Sequence, residues 1–353
     1  MDSDGVPEPL RDPEPPAALT GLHAMWAKRR RLFWTLHSMW ALSAGTAVVI
    51  VARERYHFVL WVVAFLALAW ASTLYFGRRA ALKRKDAPFT LADEITSYIA
   101  RVMYQETLFF LLPFYAYSTV IGSLNMAFVV VLGALAIFSC IDLAFDHWLR
   151  TRPIFGLLFF AVVAFAALNL LLPLLFGLRL PLATPVAALV SLAAAVPLAR
   201  RTTSGARIGA IKLAIATAGF LVVTIGVPQL VPPVPLRLQS ATFASSVDRQ
   251  TLAVTDTLRS PASSAAVGAS LALIVQVFAP SALPATVELD WRRDGETVHV
   301  SREVEIVARA SGFRVWDAWR PADGVVPPGS YKVVLRTEND RVFGVAKLTV
   351  TAN

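Results

Sequence analysis

Four residues set in apolar surroundings, His37, Glu106, Asp142 and Asp146, are the ones in this chain whose types could pass a proton or a cation along. Counted from the ends of their apolar runs that carry basic residues, His37, Glu106 and Asp142 share a depth of roughly 8 to 12 Å at the helical rise. Asp146 stands four residues after Asp142 and so on the same helical face, with His147 beside it, and Gln105 adjoins Glu106. A carboxylate at the centre of a spanning helix costs about 2.5–3.5 kcal/mol on insertion scales, so such groups either line a polar path or find partners. Two readings stay open: a relay through the helices, or ion pairs with Arg101, Arg150 or Arg152 that hold the helices together. The second is favoured, because no span carries a run of charges and no broken-helix symmetry relates two halves.

A second constellation lies near the end of the chain. Arg292, Arg314, Trp319 and Arg320, with Trp291, Phe313 and Trp316 between them, set guanidinium groups beside aromatic planes. That combination suits a glycan, an acidic group or a protein partner. The structural alternative places Trp291 and Trp316 in a core with the arginines on the solvated face, leaving Trp319, beside Pro321, as the exposed tryptophan. Enzyme signatures are absent from the sequence: no G-x-S-x-G elbow, no H-E-x-x-H helix, no phosphate-binding loop. The five histidines form no pair at metal-ligand spacing and Cys140 stands alone, so the reading is a non-enzyme with no metal and no cofactor.

The elements that must position these residues are mostly apolar. Of 353 residues, 56% are hydrophobic and 16% charged, well below the charged quarter of a typical soluble domain. The net charge of +9 does not point to nucleic acid, because acids and bases balance at twelve each from Ser240 to Asn353. The excess therefore lies among the apolar runs, where it reads as loop anchoring against a lipid bilayer. Those runs are Leu32–Ala52, His57–Phe76, Glu106–Gly122, Met126–Phe145, Ile154–Phe176, Leu182–Leu198 and Ile208–Val231, which predicts about seven transmembrane helices. A surface helix over Leu91–Met103 leads into the third.

Basic residues alternate by side. Lys28 to Arg31, Arg78 to Lys85, Arg101, Arg150, Arg152, Arg200, Arg201, Arg207 and Lys212 fall on one side, and only Arg53, Arg55 and Arg179 on the other. The amino terminus is then cytoplasmic and the last third of the chain lies across the membrane. Residues 1–27, with five prolines and five acids before residue 20, read as a disordered tail. Residues 28–231 form the transmembrane helical domain and 232–240 a proline-rich stalk built on Pro232, Pro233 and Pro235. Residues 241–353 switch to a period of two, with Leu271, Leu273, Val275 and Val277 in one strand and Val287, Leu289 and Trp291 in another. Asp294-Gly295 marks a hairpin, and a polar turn holds Asn339 and Asp340. The expected fold is thus a membrane all-α helical bundle followed by an all-β, immunoglobulin-like sandwich of about seven strands.

The segment Leu36 to Leu42, with its preceding basic cluster and the Arg53-Glu54-Arg55 loop, resembles an uncharacterised family of Gram-negative bacterial multi-span membrane proteins. The module built on Trp291 to Gly295, Phe313 to Trp316 and Pro328 to Val333 is similar to a small β-sandwich domain of unknown function found at the ends of bacterial membrane or exported proteins. The resemblance implies a bacterial inner membrane location and a periplasmic sandwich, and transfers no catalytic residue. The favoured function is a sensor or scaffold whose sandwich binds a periplasmic protein or a glycan. The alternative is a proton- or cation-coupled transporter with a polar path near Glu106 and Asp142.

Overall fold

The computed structural model describes residues 91–141, 153–202, 207–248, 254–279, 285–306 and 309–352, together with Met39, Trp40, Ser43, Phe145, Trp148 and Thr251. The helical part is made of α1 (Leu91–Tyr117), α2 (Met126–Cys140), α3 (Pro153–Phe176), α4 (Leu180–Thr202) and α5 (Arg207–Leu221). A π-helical turn, Val222–Gly226, and a 3-10 turn, Pro228–Leu230, continue α5 toward the sandwich.

These helices pack through apolar faces. On α2 the buried residues Phe128, Leu132, Ala136, Ser139 and Cys140 recur every three or four positions, one helical face. On α4 the buried face is Ala183, Thr184, Ala187, Ala188, Ser191 and Ala195, small side chains that let backbones approach closely. Phe128, Phe165 and Phe220 bring α2, α3 and α5 together edge to face.

The expectation of about seven transmembrane helices is overturned. Among the described residues there are six α-helices, one of only four residues, and a single one, over Ile154–Phe176 in α3, is long and apolar enough to cross a membrane. The apolar stretches Met126–Cys140, Leu180–Ala195 and Ile211–Gly226 are shorter, and α1 carries Asp93, Glu94, Arg101 and Glu106. The runs Leu32–Ala52 and His57–Phe76 lie outside the described residues. The cause of the overcount is physical: a run of apolar residues has the same composition whether it faces lipid or a neighbouring helix. In α3, 61% of the apolar window is buried within the protein.

From Arg237 onward the chain is β. The strands are β1 (Arg237–Val247), β2 (Val254–Leu258), β3 (Ala262–Ser263), β4 (Leu271–Ala279), β5 (Ala285–Arg293), β6 (Glu296–Val300), β7 (Val304–Ile306), β8 (Arg309–Trp319), β9 (Gly329–Thr337) and β10 (Val342–Thr351), with the short helix α6 (Ser264–Val267) after β3. One sheet has the order β2-β1-β4-β8 and the other β3-β10-β9-β5-β6. They close over a shared core of Phe243, Leu273, Val275 and Val315 from the first and Leu289, Trp291, Val333 and Leu348 from the second.

The orders β1-β4-β8 and β10-β9-β5-β6 match strands A-B-E and G-F-C-C′ of an immunoglobulin-like sandwich. Two further features agree. Trp291, on the strand equivalent to C, is fully buried and meets Phe243 at 6.2 Å across the core. Tyr331, at the start of the strand equivalent to F, donates its hydroxyl to the Pro327 carbonyl oxygen at 2.7 Å, four residues upstream. Burial pushes the Tyr331 phenol up from its ordinary pKa, so it stays a donor at physiological pH. Asp294 and Gly295 both have positive φ, as a two-residue type I′ hairpin requires. The β9–β10 turn is tighter at one point: Asp340 donates its N–H to the Thr337 carbonyl and sits at φ 58°, which closes a three-residue loop.

Replacing Trp291 with alanine should destabilise the sandwich by about 3–5 kcal/mol, the cost of a large core cavity. Tyr331→Phe should cost only about 0.5–1.5 kcal/mol, one neutral hydrogen bond. Both are checked by denaturant unfolding of the purified chain followed by tryptophan fluorescence.

Candidate binding site at the junction of helices and sandwich

Residues 232–236, expected as the start of a stalk, are all buried, as is Val231 before them. Val231 and Val234 belong to the helical core and Leu236 to the sandwich core. Leu180, at the start of α4, also packs into the sandwich core. Asn125, just before α2, is buried and donates Nδ2–H to the Val342 carbonyl of β10 at 2.6 Å; its Oδ1 is met by the Ser123 hydroxyl. Arg237 lies over the rings of Tyr117, at the end of α1, and Phe278 of β4, at 5.5 and 5.2 Å. One end of the helical part and one end of the sandwich therefore interlock.

A cleft of about 380 Å³ opens at this junction. The first turns of α4 line it with Pro181, Thr184 and Pro185, the exit from α5 with Thr224, Ile225, Pro228 and Gln229, and the β9–β10 turn with Glu338, Asn339, Asp340 and Arg341. Arg341 is 2% exposed, and its Nε and Nη1 are sealed from solvent without a hydrogen-bond partner. Burial lowers its pKa to about 10, so it remains a cation at neutral pH. The two acids of the same turn are engaged elsewhere. Asp340 pairs with Arg336 at 3.1 Å, and Glu338 accepts from the Thr286 hydroxyl at 3.3 Å.

Behind the cleft runs a buried polar string. Thr184 Oγ1 donates to Asn169 Oδ1 at 2.8 Å, Asn169 Nδ2 donates to the Tyr115 hydroxyl oxygen at 3.2 Å, and Tyr115 donates to the Ala166 carbonyl at 2.9 Å. Every member is satisfied, so the string ties α1, α3 and α4 together at this end.

Of the residues singled out in the membrane constellation, His37, Asp142 and Asp146 lie outside the described residues. Glu106 is half-buried on α1, and its neighbour Gln105 is buried with Nε2 at 3.0 Å from Cys140 Sγ. Among the described residues no group of three or more His, Cys, Asp and Glu could hold a metal ion.

The aromatic and basic set does not share one surface. Along β8, Phe313, Val315, Asp317 and Trp319 point toward the opposite sheet, while Arg314 and Ala318 are exposed and Trp316 is half-buried. Trp319, expected to be the exposed tryptophan, packs on Tyr331 at 5.8 Å. Asp317 crosses the core, accepting from Trp291 Nε1 at 2.9 Å and lying 3.1 Å from His299 Nε2. Arg292 belongs to the other sheet, where it and Arg336 clasp the buried Asp290 at 2.8 and 2.7 Å, with Thr297 donating to the second carboxylate oxygen at 3.1 Å. Arg314 and Arg320 remain as exposed cations.

Sequence reading missed the junction. Asn169 inside an apolar run was its one visible signal, since an amide there needs an interhelical partner. Arg341 gave none, because an arginine beside a polar hairpin turn ordinarily faces water.

Fold and site together define a helical part locked to an immunoglobulin-like sandwich. By its match to a family model over residues 17–269, the chain belongs to DUF5924, a family of unknown function. No functionally curated protein matches it. Among solved structures it is similar to an immunoglobulin-like protein from Pseudomonas aeruginosa, at 12% identity and a TM-score of 0.23, over 33% of this chain and 96% of that one.

Asp290→Ala leaves two guanidinium groups without their shared acceptor and should cost about 1.5–3 kcal/mol. Arg314→Ala, on the exposed face, should stay within about 0.5 kcal/mol of wild type. Paired denaturant titrations measure the contrast.

Proposed function

We propose that this protein is a non-enzymatic scaffold or sensor of the bacterial inner membrane that holds its sandwich on the periplasmic side to bind an envelope component or a partner protein. The observation that carries this reading is the apolar surface of the helices. Val130, Val131 and Ile137 of α2, Leu182, Leu189 and Val190 of α4, and Ile211 and Ile215 of α5 are all exposed, Ile215 at 67%. Water-soluble proteins rarely expose contiguous apolar surface on this scale, whereas lipid accepts it. At 24 residues α3 is roughly 36 Å long, enough to cross a hydrocarbon core of roughly 30 Å.

The disposition of charge supports the orientation. The end of α1, the starts of α2 and α4 and the exit from α5 all meet the sandwich, and of the basic residues beside them Arg179 lies in the turn before α4. Arg200, Arg201 and Arg207 stand at the opposite ends of α4 and α5. A cytoplasmic basic end and a periplasmic sandwich fit the positive-inside rule. The sandwich itself is free of cysteine and balanced in charge. Its exposed Arg314 and Arg320, with Trp316 between them, offer a partner both guanidinium and indole contacts.

A periplasm-active phosphatase fused after Asn353 should be active and a cytosol-active fluorescent protein at the same point dark; the reverse pattern would overturn the orientation. Arg314→Ala combined with Trp316→Ala should abolish capture of an envelope component by the full-length protein in detergent while leaving its melting temperature within a few degrees. Undiminished capture would remove this face as the binding surface.

A further inference from the structure

We propose that the cleft between the helix ends and the β9–β10 turn binds a phosphate group through the Arg341 guanidinium, with the side-chain amides of Gln229 and Asn339 as further donors. The inference stands on the cleft and does not require the binding role proposed for the sandwich face.

Three observations carry it. Arg341 is a buried cation in the wall of the cleft; its Nε and Nη1 are closed off from solvent and meet no acceptor, and among the described residues its guanidinium has no ion-pair partner. An unpaired buried guanidinium favours an anion beside it, and Nη2, the one nitrogen of the group that is not sealed, is the donor that can meet a phosphate oxygen. A cleft of about 380 Å³ adjoins it, within the size range of small-ligand sites and larger than a bare anion needs. The neighbouring polar atoms are consistent. Gln229 and Asn339 are half-buried with side-chain amides that make no hydrogen bond among the described residues, and the N-terminal turn of α4 lends its partial positive charge. The carboxylates of Glu338 and Asp340 stand at the exposed rim, each already held by Thr286 or Arg336.

Phosphate could reach the cleft as the free ion or as the headgroup of a lipid. Exposed Leu182, Val186 and Ile225 flank the cleft's Thr184, Pro185 and Thr224, an apolar margin suited to acyl chains beside a headgroup.

The test uses the full-length protein in a neutral detergent and reads thermal unfolding against added inorganic phosphate, phosphatidylglycerol and, as a lipid lacking phosphate, diacylglycerol. A saturable rise in melting temperature with phosphatidylglycerol alone assigns the site to a headgroup, and a rise with both phosphate sources assigns it to the phosphate group in general. Arg341→Gln should raise the apparent Kd by roughly tenfold or more, the loss of a charge-assisted pair. Removing an unpaired buried charge favours the fold, so the variant should melt at or above the unliganded wild type. Gln229→Ala, which leaves Arg341 in place, should weaken binding several-fold, and Lys347→Gln, on the exposed face of β10, should change nothing. No shift in wild type with any phosphate source, or the same shift in Arg341→Gln, overturns the proposal.

Discussion

The tip of the β9–β10 hairpin is pressed against the ends of the helices, and this contact fixes how the halves of the chain are joined. A hairpin arginine normally sits in water. Here the residue after the left-handed Asp340 is turned inward, next to the carbonyl of Val342 that Asn125 holds from the helical side. Because an immobilised backbone bond and a buried guanidinium lie side by side, the hairpin cannot swing without breaking one and hydrating the other. Leu180 and Leu236 in the sandwich core, and Val231 and Val234 in the helical core, extend the same lock through apolar packing.

The sandwich meets a separate constraint. With no cysteine available, nothing covalent joins its sheets, and the indole of Trp291 takes that central position, against Phe243 on one side and bonded to Asp317 on the other. An indole N–H in an apolar core demands an acceptor, and Asp317 supplies it while reaching His299 at the rim. Gly344 belongs to the same economy of space: a Cβ there would lie 2.8 Å from the Cβ of Leu238, so only glycine lets β10 approach β1.

How much of this was legible in the sequence follows from which forces leave a periodic trace. Strand β10 alternates buried and exposed residues from Ala346 to Thr351, β4 and β5 carry their large apolar side chains at every second position, and the Asp294-Gly295 turn has its own chemistry, so the sandwich could be read directly. The two-residue β3 and three-residue β7 are too short to show a period. The helices were located by their apolar runs, yet how many are long and apolar enough to cross a membrane was not, because composition is blind to what covers a helix face. Trp319 was read as exposed from its loop-side position, whereas the pleat of β8 turns it inward with Phe313 and Val315. Apart from Asn169, the junction left no trace in the sequence, since it arises where Asn125, Thr184, Gln229 and Arg341, far apart in the chain, come to the same end of the fold.

The family match ends at residue 269, inside the sandwich and not at its edge. The segment it covers contributes β1 and β2 to one sheet and β3 to the other, where β3 runs parallel to β10 through Val350 and Ala262. Every later strand closes on a scaffold begun by that segment, and β3 shields the backbone edge of β10 that would otherwise be open to pairing with a second chain. The stretch shared with the family thus runs from the helices into the seam of the β-structure, so by itself it holds the beginning of both sheets and the whole of neither.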